Sequence, residues 1–204
     1  MKLQSRLYAI ADASFGDPVE LAQKLFDGGA RLVQVRNKKA GARELLRQVE
    51  RVLEFAPSDA HVVVNDRVDV ALIAGAGGVH LGQTDLPPEE ARRILGDGRI
   101  VGFSTHNLEQ ALKADQLPVD YVAVGPIYRT TSKENPDPVL GIENLEAIRQ
   151  AVRKPIVAIG GIRLEAAQEV LRAGASSIAV ISDILTSSDI PRRVRDWLER
   201  LNST

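Results

Sequence analysis

Cysteine is missing from all 204 residues, which excludes disulfides, thiolate metal centres and a cysteine nucleophile together. An excess of either charge is missing too. With 26 basic and 27 acidic residues and a net charge of −1, no overall field recruits nucleic acid or an anionic membrane, and an anionic ligand must be caught locally. No hydrophobic run approaches membrane-spanning length, and the opening MKLQSRLYAIADASFGD has too short an apolar run before its first acid for a signal segment. A cytoplasmic protein is the simplest expectation. No linker, low-complexity tract or charge block divides the chain, so residues 1–204 are expected to form a single domain; self-association is left open.

What is present is a repeating alternation. Short apolar runs recur at residues 7–11, 32–35, 62–64, 78–81, 100–103, 121–124, 156–159 and 178–181. Between and after them lie helix-period segments at 18–26, 43–55, 67–73, 87–95, 108–114, 142–152, 164–173 and 191–201. Strands that are nearly all Val, Ile, Leu and Ala are buried on both faces, as parallel strands under helices are. Eight such units of roughly 25 residues each favour a closed (β/α)8 TIM barrel over an open doubly wound sheet. Glycine-rich clusters at 28–30, 75–78 and 174–175 stand where a helix ends and the next strand begins.

In such a barrel, chemistry lies at the carboxyl ends of the strands. After the second run, period-2 alternation gives Gln34, Arg36 and Lys38 a common direction, an amide and two cations suited to a diphosphate. A solvated loop is the competing reading. Asp66 follows the third run and Asp85 the fourth; on neighbouring strands their carboxylates would emerge side by side and hold a hard divalent cation. Either aspartate alone could instead cap the following helix. His80, inside its strand, reads as a hydrogen-bonded core residue, while Ser104 and Thr105 either offer hydroxyls to a ligand or start a helix. The long polar stretch from Tyr128 to Pro138 carries Arg129, Thr130, Thr131, Ser132 and Lys133, and reads as a lid over an oxyanion-rich ligand. Gly160-Gly161 and Ser182, after the seventh and eighth runs, stand where this architecture cradles phosphate; for the glycines alone, a tight left-handed turn explains as much.

The residue types converge on one ligand class. Two carboxylates, three cations (Arg36, Lys38, Lys133) and a separate Gly/Ser cradle imply two phosphorylated small-molecule substrates and a bound metal. Magnesium suits the metal position, because ligation by few carboxylates leaves room for water and diphosphate oxygens.

These same residues carry a resemblance. The chain resembles the thiamine phosphate synthase family from Leu7 to about Ile184, through QVRNK (34–38), VNDRVDVA (64–71), GVHLGQTD (78–85), GFSTH (102–106), DYVAVGPIYRTTSK (120–133), AIGGI (158–162) and AVIS (179–182). The resemblance implies transfer of a hydroxymethylpyrimidine group from its diphosphate to the ring nitrogen of a thiazole phosphate. It further implies that Gln34, Val35, Arg36, Asn37, Lys38, Asn65, Ser104 and Lys133 bind the pyrimidine diphosphate. Asp66 and Asp85 would hold magnesium; Thr130, Thr131, Ser132, Gly161, Ile181 and Ser182 would receive the thiazole phosphate. Asn37 and Thr84 stand where the family commonly has acidic residues, and Arg129 and Ser132 where it often has Pro and Thr, which touches the support of Arg36 and Lys38 more than the reaction type. The competing functions are a metal-independent thiazole tautomerase on the same barrel and a non-catalytic phosphate-binding barrel.

Overall fold

A computed structural model describes residues 5–130 and 137–203. Its strands are β1 (Leu7–Asp12), β2 (Leu32–Arg36), β3 (His61–Asn65), β4 (Gly78–Leu81), β5 (Ile100–Thr105), β6 (Tyr121–Val124), β7 (Ile156–Ile159) and β8 (Ser177–Val180). Each is parallel to its sequence neighbours, and β8 pairs with β1 to close the barrel. The helices are α1 (Pro18–Asp27), α2 (Ala42–Phe55), α3 (Val68–Ala74), α4 (Pro88–Leu95), α5 (Leu108–Asp115), α6 (Gly141–Ala151), α7 (Ala167–Arg172), α8 (Ser182–Leu185) and α9 (Ile190–Asn202).

Alternation along each strand sorts side chains into two apolar layers. Val33, Val35, Val62 and Val64 point outward and pack with the helices. Tyr8, Ile10, Leu32, Val63, Ile100, Tyr121 and Val157 point inward and fill the barrel. The helices complete the outer layer with one face each: α2 buries Leu45, Val49 and Val52, and α9 buries Ile190, Val194, Trp197 and Leu201, both at the spacing that stacks side chains on one side of a helix. Among the described residues no helix is long and apolar enough to cross a membrane.

Two departures from the sequence expectation bear on the site. The β1 strand runs one residue further than its apolar run, ending on a buried acid, Asp12. The helical turn expected to open at Ile181-Ser182-Asp183 is a short helix of its own, α8, so the eighth unit carries two helices where the count of helix-period segments gave one.

Candidate active site

At the carboxyl end of the barrel lies a cavity of about 410 Å³, lined from all eight strands and the loops that follow them. Gln34, Arg36 and Lys38 all reach it, as the alternation predicts. So do Asn65, Asp66, Asp85, Ser104, Thr130, Gly161, Ile181 and Ser182. Val35 and Asn37, expected beside them, do not line it. Val35 falls on the outward parity of β2 and is fully buried against the helices. Asn37 turns toward the loop that follows it and helix α2, its amide donating to Gln48 at 3.2 Å and its oxygen accepting from the backbone of Lys39 and Ala40. Thr131, Ser132 and Lys133 lie outside the described residues.

Arg36 forms an ion pair with Asp12. The two stand opposite each other in the β1–β2 register, and Asp12, 2% exposed, also accepts the backbone N–H of Ser14 at 2.9 Å. Sequence reasoning passed over Asp12, although its signal was visible as an acid closing the first apolar run. Lys38 is paired differently. Its Nζ lies 3.2 Å from Asp66 Oδ2, across a more exposed gap.

Neither Asp66 nor Asp85 caps a helix. Helix α3 begins after Arg67 with no side-chain cap, and α4 begins after Pro87 likewise. Asp66 instead occupies the centre of a tight turn in which the Arg67 N–H donates to the Asn65 carbonyl at 2.8 Å. Its φ of 62° is the one positive value among the described residues other than glycine. Such a conformation costs on the order of 1–3 kcal/mol in a non-glycine residue, and strain of this kind gathers at functional sites. Asp85 closes the β4–α4 loop, its Oδ2 accepting from the Gly82 N–H at 2.7 Å.

The two turns bring the carboxyl groups together. Asp66 is held above the ordinary carboxylate range first by burial and then by a hydrogen bond with Asp85, against the opposing pull of Lys38. Two carboxyl groups crowded together in a partly buried place are relieved when a cation comes between them. Among the described residues no cluster of three or more His, Asp or Glu side chains could hold a metal; what this rim offers a cation is the two carboxylates of Asp66 and Asp85. That donor set fits a hard, partly hydrated cation such as magnesium and not a closed structural site.

Across the cavity, Gly160 and Gly161 adopt φ of 99° and 66°, so the tight-turn reading holds for both. The turn also lets the chain pass close to the segment after β6: a Cβ on Gly161 would lie 2.3 Å from the Arg129 carbonyl, and the Tyr128 N–H donates to the Gly160 carbonyl at 2.9 Å. Ser182 opens α8, which is fixed from behind. Asp183 accepts from Arg193 at 2.9 Å and from the indole N–H of the fully buried Trp197 at 2.7 Å. Asp183 was not anticipated, because its partners lie on α9, and no local spacing announces them. Ser104 and Thr105 do not start α5; Asn107 caps it, accepting from the Gln110 N–H. Thr105 donates to the Ala123 carbonyl at 2.9 Å, while Ser104 meets His80 Nε2 at 2.8 Å. His80 is thus hydrogen-bonded and largely buried, as expected of it, but it also lines the cavity.

With this geometry in place, comparison with known proteins is informative. A family model described as thiamine monophosphate synthase matches residues 7–184. A thiamine-phosphate synthase of Koribacter versatilis is 47% identical, over 97% of this chain and 96% of that protein. One from Anaeromyxobacter dehalogenans is 46% identical over 90% of this chain and 82% of its own length. Among solved structures, thiamine phosphate pyrophosphorylase from Pyrococcus furiosus superposes with a TM-score of 0.86 at 36% identity, covering 96% of this chain and 95% of that one.

Proposed function

The chain belongs to the thiamine monophosphate synthase family, and on that premise we propose which of its residues perform the transfer that makes thiamine phosphate. The protein is a transferase, and its reaction is thiamine phosphate synthesis. The observation that carries the assignment of residues is the meeting of Asp66 and Asp85 beside Lys38 on one rim of the cavity.

The pyrimidine's amino group can donate electrons to the methylene as diphosphate departs, so the substitution is dissociative and needs no side-chain nucleophile. The main task of the protein is then to stabilise charge on the leaving diphosphate. Arg36, aimed by Asp12, presents fixed guanidinium N–H groups to it. Lys38 sits as a mobile point charge, held by Asp66 until a stronger partner arrives. Asp66 and Asp85 would hold magnesium, which when bound adds positive charge where the diphosphate oxygens collect. Gln34, Asn65 and Ser104 bound the inner part of the cavity, where the pyrimidine ring is placed. Gly161, Ile181 and Ser182 lie on the opposite side, where backbone N–H groups receive the thiazole phosphate, with α8 anchored through Asp183. By its sequence position after Thr130, Lys133 supplies a further cation.

The test is direct. Purified protein supplied with the pyrimidine diphosphate, the thiazole phosphate and magnesium should release thiamine phosphate and diphosphate in equal amounts, and EDTA should stop it. Turnover that EDTA leaves unchanged would overturn the metal assignment. Absence of product with both substrates and metal present would overturn the reaction.

A further inference from the structure

The barrel interior beneath the cavity holds a feature that stability does not require. Branched aliphatic side chains ordinarily fill such interiors, yet here polar groups cross from one wall to another. Tyr8 on β1 and Tyr121 on β6 are 1% and 0% exposed, with their rings edge to face and their hydroxyls 3.1 Å apart. The Tyr121 hydroxyl meets His80 Nδ1 at 2.8 Å, and His80 Nε2 meets Ser104 Oγ at 2.8 Å. At the other end, the Gln34 amide donates to the Tyr8 hydroxyl at 2.8 Å. An unbroken chain therefore joins Gln34 to Ser104 through the protein interior, and both ends line the cavity.

The fold makes room for this chain. Gly102 stands in β5 opposite both His80 and Tyr121, and a Cβ there would lie 2.0 Å from the Tyr121 ring carbon Cζ and 2.2 Å from its hydroxyl. Any side chain at 102 would displace the ring. Replacing both partners of a buried hydrogen bond by apolar groups of the same shape is close to neutral for stability, so a fold seeking stability alone would have no use for this chain.

The connectivity imposes a rule. Each hydroxyl carries one hydrogen and a neutral imidazole one, so the chain runs in one of two directions. If Ser104 donates to His80, then His80 donates to Tyr121, Tyr121 to Tyr8, and the Tyr8 hydrogen is left for the cavity while the Ser104 oxygen accepts. If the order reverses, Tyr8 donates inward and the Ser104 hydrogen is left for the cavity. No group is ionised in either direction.

We propose that Tyr8, Tyr121 and His80 are positioning residues for the pyrimidine ring, tying the polarity of Ser104 to that of Tyr8 so that the cavity floor offers one donor and one acceptor together. This rests on the reading that the pyrimidine diphosphate lies over Gln34 and Ser104. An aminopyrimidine edge is the complement of such a floor, because its amine donates while the adjacent ring nitrogen accepts. A thiazole ring offers an acceptor and no N–H, so the chain serves one substrate and not the other.

The experiment is a double-mutant cycle with Tyr121→Phe and Ser104→Ala, both substrates being varied in turn. Wild-type turnover establishes the reaction independently of the chain. Tyr121→Phe, which touches neither substrate, should lower kcat/KM for the pyrimidine diphosphate about tenfold, the worth of one well-made hydrogen bond, while KM for the thiazole phosphate stays within about twofold of wild type. The double variant should be no worse than Ser104→Ala alone, because the chain acts through that residue. Losses that multiply, equal changes in both KM values, or a Tyr121→Phe enzyme as active as wild type would each overturn the proposal. If Tyr121→Phe does not fold, Tyr8→Phe cuts the chain at its other end; because Tyr8 also lines the cavity, it is read by selectivity alone, a raised KM for the pyrimidine diphosphate with KM for the thiazole phosphate unchanged, and equal changes in both would overturn the proposal.

Discussion

Two cation–carboxylate pairs stand side by side on the rim, and they are built in opposite ways. In the first, the Arg36 and Asp12 side chains are 15% and 3% exposed, they are register partners in a regular ladder, and Asp12 is further tied to Ser14. In the second, Lys38 and Asp66 are 55% and 23% exposed, and the acid rides on backbone in a left-handed turn. The first pair is a fixed donor whose aim is set on folding. In the proposed function the second is an exchangeable one, in which the acid would leave the lysine for a metal ion and free it for a phosphate. A largely buried guanidinium held by a buried carboxylate suits directed recognition, and a solvated ammonium suits a charge that must move.

The contrast can be broken most sharply at Asp12. Asp12→Ala strands a largely buried guanidinium without its partner and should cost about 3 kcal/mol of stability, seen as a lower denaturation midpoint together with weak turnover. If stability were unchanged, the first pair would be no more structural than the second. At Asp66 the two effects should separate. Asp66→Gly removes the strain of a positive φ and should raise stability by about 1 kcal/mol, while turnover at saturating magnesium falls by about 100-fold or more. An active Asp66→Gly enzyme would remove the metal role.

A smaller change is expected at the exposed member. Lys38→Ala should alter stability by no more than about 0.5 kcal/mol, as surface pairs do, yet raise KM for the pyrimidine diphosphate about tenfold. Unchanged KM would mean that the second pair is not exchanged for substrate.

The smallest effect concerns the neutral chain beneath both pairs. Burial pushes the Tyr8 hydroxyl up to about 12 from its ordinary 10.0, although the hydrogen bonds from Tyr121 and Gln34 pull the other way. Burial, followed by the neighbouring Tyr8, also holds Tyr121 well above that ordinary value. A group raised on folding contributes stability that is complete below its unfolded value and is lost as pH rises through the folded one. The wild-type unfolding midpoint should therefore fall more steeply between about pH 10 and pH 12 than that of Tyr8→Phe. Parallel curves would show that the phenols are not held neutral by the fold.

Legibility in the sequence followed the range of the interaction. Gln34, Arg36 and Lys38 could be given one direction because alternation along a strand is local, and the same alternation already implied that Val35 and Asn37 face away. The two aspartates were legible as a possibility and ambiguous in detail: Asp66 and Asp85 stand where helix caps stand, and only the turn at 65–67 and the Gly82 contact show that neither is one. Asp12 and Asp183 were missed because each is defined by a partner on another element, Arg36 across a ladder and Trp197 on the last helix.

By itself, then, the order of residues determined the alternation of strand and helix, the parity of each strand and the end of the barrel to which polar groups are delivered, because all three follow from periodicity within a few residues. Which delivered groups meet was decided by closure. Tyr8 and Tyr121 are 113 positions apart in the chain, and the Asp12–Arg36 pairing depends on strand register. Register and closure are fixed only when the whole outer layer of helices packs against the strands, so these contacts belong to the tertiary structure and to no single stretch of the chain.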